Sequence, residues 1–217
     1  MSKVLEKVLK NAGFVKRGSA FFRVHGDGTL QILKCDKRNG WYIGLFSMYS
    51  ELQPQWFTSL GCIPRYSINE LADPQQLSPA SQTELLVDRC LPWLEALDTH
   101  RKMLDGLFLL ETSHGGEIRW VDELKIAPFL LCRDYVAAEK VIFSILENHR
   151  VARHMNKALY PYTDDYQKYV VRRASDDAKL LLLAEMIQQR DEQKIHMYLS
   201  ENWLRNSSYA RFCTPKN

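Results

Sequence analysis

Apolar and polar positions change rhythm several times along this chain. Val4, Leu5, Val8 and Leu9 recur at helical spacing, with Lys3, Lys7 and Lys10 on the other side. That pattern predicts a short amphipathic helix ending at Asn11-Ala12-Gly13. Phe14 to Val24 has the aromatic and β-branched content of a strand, with Gly18 and Ser19 marking a bulge or bend. His25-Gly26-Asp27-Gly28 offers two glycines for a tight hairpin, and Thr29 to Cys35 forms the return strand. A second turn, Asp36 to Gly40 with its Asn39-Gly40 pair, leads into a third strand, Trp41 to Tyr49. There Trp41, Ile43 and Leu45 alternate with Tyr42, Phe46 and Met48. Both faces are apolar, so this strand is expected to be central and covered on both sides.

The rhythm is lost between residues 50 and 80, where Pro54, Pro64, Pro74 and Pro79 interrupt long elements. Trp56, Phe57, Ile63 and Tyr66 argue that this loop is packed down, with room for one more short strand between Leu60 and Ile68. From Ser78 onward the pattern is helical. Ser78 or Ser81 can cap, and Leu85, Leu86, Cys90, Trp93, Leu94 and Leu97 form a stripe in which Pro92 implies a kink or break. Asp98 or Thr99 starts another helix running to about Leu110, and Ser113-His114-Gly115-Gly116-Glu117 punctuates the chain. Asp122 to Cys132 and Tyr135 to Asn148 predict an antiparallel helix pair around Arg133-Asp134. Further helices are expected from Pro161 or Asp165 to Gln189 and from Glu192 to Tyr209. The second half resembles a tetratricopeptide-type hairpin only loosely, since Pro128 sits inside its first helix. Arg190-Asp191-Glu192 echoes Arg133-Asp134-Tyr135 at a helix junction.

These elements predict an α+β fold: an N-terminal helix and a small antiparallel meander over residues 1–112, then an all-helical part over residues 117–217. Residues 5 to about 110 also resemble a bacterial family catalogued as domain of unknown function 4304. The residues carrying the likeness are Leu9, Gly13-Phe14, Lys16, Gly18, Phe21 or Phe22, Arg23, Gln31-Ile32, Ile43 to Phe46, and Leu91-Pro92-Trp93-Leu94-Glu95. Gly44 and Leu45 depart from that family's more polar strand. The resemblance implies a fold and a bacterial setting, and no catalytic residues.

Composition and charge narrow the function classes. With 46% hydrophobic and 25% charged residues, the 217-residue chain has globular values and can bury a core. The net charge of +3 is small, but it is segregated. Residues 1–50 hold nine Lys/Arg against three Asp/Glu, residues 51–147 eight against fifteen, and residues 148–217 twelve against eight. Charge matching within the chain competes with an external polyanion as the reason. Cysteines at 35, 62, 90, 132 and 213 form no Cys-x-x-Cys pair and fit reduced thiols in a cytoplasmic setting. Charges interrupt the N-terminal apolar positions, as no signal peptide would allow, and the run Leu180 to Ala184 is far shorter than the roughly 20 residues of a membrane span.

Candidate chemistry is sparse. His149 and His154 lie about 140° apart on a helix and cannot readily share a metal. Asp164-Asp165 and Asp176-Asp177 could hold a cation, but fit helix starts better. No nucleophile elbow, phosphate loop or dinucleotide fingerprint occurs, so no catalytic residue, cofactor or metal is assigned. Lys16, Arg17, Arg23, Lys37 and Arg38 beside Phe21, Phe22, Trp41 and Tyr42 form a candidate binding surface. Its composition is that of single-stranded nucleic-acid surfaces, but core aromatics with cations guarding a strand edge are the favoured reading. The expectation is a non-catalytic module that binds another protein or itself, toxin neutralisation being one form. Nucleic-acid binding and an enzyme without a recognisable motif are the alternatives.

Overall fold

The N-terminal alternation builds an antiparallel meander. The computed structural model describes residues 3–36, 40–51, 58–59, 79–113, 121–159 and 164–212. In it α1 (Lys3–Asn11) precedes β1 (Val15–Arg17), β2 (Ala20–Val24), β3 (Thr29–Asp36), β4 (Gly40–Ser47) and the two-residue β5 (Thr58–Ser59). The strands pair in chain order, and the fold class is α+β, as the sequence predicts. Leu5 and Leu9 supply the buried stripe of α1, whereas Val4 is exposed.

Gly18 and Ser19 are not a bulge within one strand. They form a two-residue hairpin that folds the expected strand back on itself, pairing Val15 with Phe22 and Arg17 with Ala20. The φ of +59° at Gly18 is the left-handed conformation such turns require. Across β2, β3 and β4, Phe21, Leu33 and Ile43 form one rung, and Arg23, Gln31 and Leu45 another on the same face. Phe22, Ile32 and Gly44 point the opposite way. Ile43, Leu45 and Phe46 are all buried, so β4 is covered on both faces. The expected strand between Leu60 and Ile68 and the punctuation at 114–117 lie outside the described residues.

The helices follow as α2 (Pro79–Leu85), one π-helical turn (Leu86–Cys90), α3 (Leu91–Glu95), α4 (His100–Ser113), α5 (Val121–Leu131), α6 (Tyr135–Leu159), α7 (Asp164–Gln188) and α8 (Glu192–Arg205). The π-turn is how the chain passes Pro92. Its extra residue relieves the crowding between the proline ring and the carbonyl one turn back. α6 continues well past the expected end at Asn148, with no proline or glycine to stop it. α8 stops short of Tyr209 and gives way to a 3-10 turn (Ser207–Phe212). There Asn206 uses its side-chain amide to bond the carbonyls of Met48 (3.0 Å) and Ser50 (2.9 Å).

The echoed tripeptides mark two junctions of one construction. Arg133 and Arg190 hold φ of 57° and 52°. The N–H of Asp134 bonds the Phe129 carbonyl and that of Asp191 the Met186 carbonyl, closing helices α5 and α7 alike. Each aspartate then caps the next helix, accepting from Ala137 N–H and Lys194 N–H at 3.1 Å. Arg133 Nη2 also reaches Glu192 Oε2 at 3.9 Å, so the two turns lie side by side.

Among the described residues two apolar clusters form, and each draws members from both sides of the boundary expected between residues 112 and 117. Leu124 of α5 belongs to the cluster on the sheet, Leu104 of α4 to the helical one, and Tyr49 packs against both. Trp203 of α8 stacks on Tyr49 at 4.9 Å, and Tyr209 lies 5.9 Å from Phe22 on the sheet's second face. Gly28 sits under this contact with φ of +93°, and a Cβ there would meet Trp203 at 2.7 Å and Tyr49 at 2.9 Å. Gly28→Ala is therefore expected to cost about 2–4 kcal/mol, combining left-handed strain with overpacking. Chemical denaturation measures it; a loss below about 0.5 kcal/mol would show that α8 does not press on this turn.

Candidate functional site

Of the five sequence-derived cations, Arg23 is buried and Arg17 is exposed. Lys37 and Arg38 lie outside the described residues. Lys16 reaches back to Glu6 Oε2 at 2.6 Å, and Arg17 is exposed at the β1–β2 hairpin. Arg23 is only 6% exposed. Its Nε and Nη2 donate to Gln31 Oε1 at 2.9 and 2.7 Å, its Nη1 donates to the Ala12 carbonyl at 2.8 Å, and its guanidinium stacks 4.5 Å from the Phe14 ring centre. Gln31 then donates to the carbonyls of Leu94 (2.6 Å) and Leu97 (3.0 Å) at the end of α3. Burial lowers the Arg23 pKa from its ordinary value, and Glu95 opposes that shift. The cation faces helix C-terminal carbonyls, where the backbone dipoles favour it. This is a scaffold contact and presents no charge to a ligand.

The structure brings together a second group that no motif announced. Asp27 Oδ2 accepts from His100 Nδ1 at 3.0 Å and from His100 backbone N–H at 2.8 Å, and Ser47 Oγ lies 2.9 Å from His100 Nε2. Asp27 also accepts from Thr29 N–H and Oγ1–H at 2.9 and 3.1 Å. Tyr49 N–H donates to Ser47 Oγ at 3.2 Å. The order Asp–His–Ser matches a hydrolase triad, but the burial gradient is inverted. Ser47 is 2% and His100 7% exposed, while the Asp27 side chain is 30% exposed. A nucleophilic serine must meet substrate, with the aspartate behind it. Here the serine is the innermost member, so the geometry is that of a clamp holding the start of α4 on the sheet.

A third group joins α6 to α7. His149 Nδ1 lies 2.6 Å from Asp177 Oδ1, Arg153 Nη1 bonds Asp177 Oδ2, and Arg173 Nη1 lies 3.0 Å from His149 Nε2. Asp177 is buried in mid-helix, which corrects the expectation that Asp176-Asp177 begins a helix. The Asp164-Asp165 pair does stand at the start of α7. Burial by itself would raise the Asp177 carboxyl, but His149 and Arg153 outweigh it and hold the group below the usual carboxylate range. On neighbouring α5 burial raises the Glu123 carboxyl against the pull of Arg173 and His149. One signal for this group was readable: His149/Arg153 and Arg173/Asp177 are each one turn apart on helices that run antiparallel. Among the described residues no three His, Cys, Asp or Glu side chains gather as a metal site, and no helix is long and apolar enough to cross a membrane.

A different feature faces solvent. Along α7, Val171 is 70%, Leu181 53% and Leu182 54% exposed, with Ala174 and Ala178 exposed between them. The buried residues Leu183, Ala184 and Ile187 hold the opposite side of the same helix. α7 is thus apolar on its core side and again on its water side.

Arg23→Ala strands the Gln31 and Ala12 acceptors and is expected to cost about 3 kcal/mol, with Arg23→Lys restoring little because it lacks the fork. Thermal and urea denaturation read this; a variant of wild-type stability would return Arg23 to the list of surface cations. For Asp27, burial by itself raises the carboxyl, and the His100 and Thr29 hydrogen bonds overcome it and hold the group far below the usual range. Its folded pKa is depressed, so its contribution is full above the unfolded value of about 3.9 and fades as pH falls below it. Asp27→Asn is expected to lose about 1–3 kcal/mol near pH 7 and about 1 kcal/mol less near pH 3, the remainder fading only as pH falls through the depressed folded value. An equal loss at both pH values would exclude the clamp's ionic character.

No family model, curated protein or solved structure matches this chain, so the likeness of residues 5–110 to domain of unknown function 4304 is neither supported nor opposed by comparison.

Proposed function

We infer that this protein is a non-catalytic binding module whose partner is a protein seated on the outward face of α7. The uncharged strip Val171, Ala174, Ala178, Leu181 and Leu182 carries this reading. An isolated exposed leucine is ordinary, whereas several in line along one helix mark a surface that another chain covers. Helix-in-groove and helix-on-helix contacts use this spacing of anchors.

The alternatives draw less support. Burial of Arg23 and the Lys16–Glu6 pair subtract cations from the nucleic-acid surface. The inverted burial of Asp27, His100 and Ser47 weighs against hydrolysis. Segregated charge is met partly within the chain, as Glu51 of the acidic middle pairs with Lys179 at 2.7 Å and lies 3.9 Å from Arg205.

The test is crosslinking mass spectrometry on the tagged full chain expressed in its native cell, beside the double variant Val171→Asp/Leu181→Asp. Both sites are solvent-facing, so far-UV circular dichroism and Tm are expected to stay unchanged. Crosslinks from α7 to any protein chain, its own copies included, should fall at least about tenfold. Crosslinks that persist in the folded variant would place binding elsewhere.

A further inference from the structure

We propose that the occupant of this face is a second copy of the same chain, its α7 lying antiparallel to the first about a two-fold axis level with residue 176. The proposal rests on the protein-binding reading and names its partner. Gln167, Val171, Ala174, Ala178, Leu181 and Glu185 are all exposed and advance in alternating steps of four and three residues. That is the seam of a two-helix coiled coil, here on the side of α7 that faces water.

A two-fold contact requires a surface complementary to itself. Antiparallel pairing about residue 176 supplies that complementarity layer by layer. Ala174 meets Ala178 of the other copy at the centre, where small side chains let the helix axes approach. Val171 meets Leu181 on either side, and at the ends the Gln167 amide faces the Glu185 carboxylate. No lysine or arginine lies on the seam. Parallel pairing would set each residue against itself and oppose Glu185 to Glu185, so charge selects the antiparallel arrangement. The seam is about 27 Å long, which is short for the roughly 800 Å² per partner of a stable interface, so the dimer is concentration-dependent.

Analytical ultracentrifugation of the full chain from about 1 to 200 μM tests the pairing. A monomer–dimer equilibrium is expected, with Leu181→Asp or Ala178→Asp raising Kd at least about tenfold while circular dichroism is unchanged. Orientation is read by disulfide capture beside the unsubstituted chain. Mixed Ala174→Cys and Ala178→Cys proteins should crosslink to each other more than either does to itself. Monomer at every concentration overturns the proposal, as does capture strongest between two Ala178→Cys chains. A monomeric chain whose α7 crosslinks to a different protein are lost in Val171→Asp/Leu181→Asp overturns the second copy and leaves the binding reading standing.

Discussion

One buried cation organises the N-terminal half of this molecule. Arg23 has no acidic hydrogen-bond partner among its described contacts; its charge is met by the Gln31 amide oxygen and the last carbonyl after α1. Gln31 passes the connection to the two carbonyls ending α3. A guanidinium in an apolar interior is tolerable only when its donors are matched, so each member of this chain of bonds constrains the next. The helix before the sheet, the second strand, the third strand and the helix that contains Pro92 are thereby set in one arrangement. Apolar burial of Phe21, Leu33 and Ile43 supplies bulk stabilisation without choosing among neighbouring packings; the polar bridge makes that choice.

The same economy recurs further along. Asp27 fixes the start of α4 from a hairpin seventy-three residues away, and Asp177 ties α7 to α6 through His149 and Arg153. In each case a carboxylate is kept ionised by donors that outweigh its desolvation. The helical hairpins add a second principle. Arg133 and Arg190 accept a left-handed backbone that arginine disfavours, and the following aspartate caps offset the strain. These junctions put both hairpin turns at one end and leave α7 with an apolar side in water.

Much of the fold was legible because local rules sufficed. The α1 stripe, the His25–Gly28 turn and the Asp-capped junctions each depend on residues within one or two turns. Other features needed information that sequence spacing lacks. Gly18-Ser19 reads equally as a bulge or a reversal until Ala20 finds Lys34 on β3. Arg23 carries the same formal charge whether it faces water or Gln31, and strand alternation put it among aromatics in either case. Ser47 and His100 are fifty-three residues apart, with no motif to relate them. In α7 the run Leu180 to Ala184 turns more than a full circle, so periodicity left its core side and its water side indistinguishable.

The grip of Asn206 on the carbonyls of Met48 and Ser50 spans more than one hundred and fifty residues. During synthesis the sheet must therefore wait, its β4 end unsatisfied and its Phe22 face uncovered, until residues 203–209 leave the ribosome. At about 5–20 residues per second, that delay is on the order of ten to thirty seconds. Over that interval the nascent meander leaves uncovered the Phe22 face that Tyr209 packs against in the folded chain.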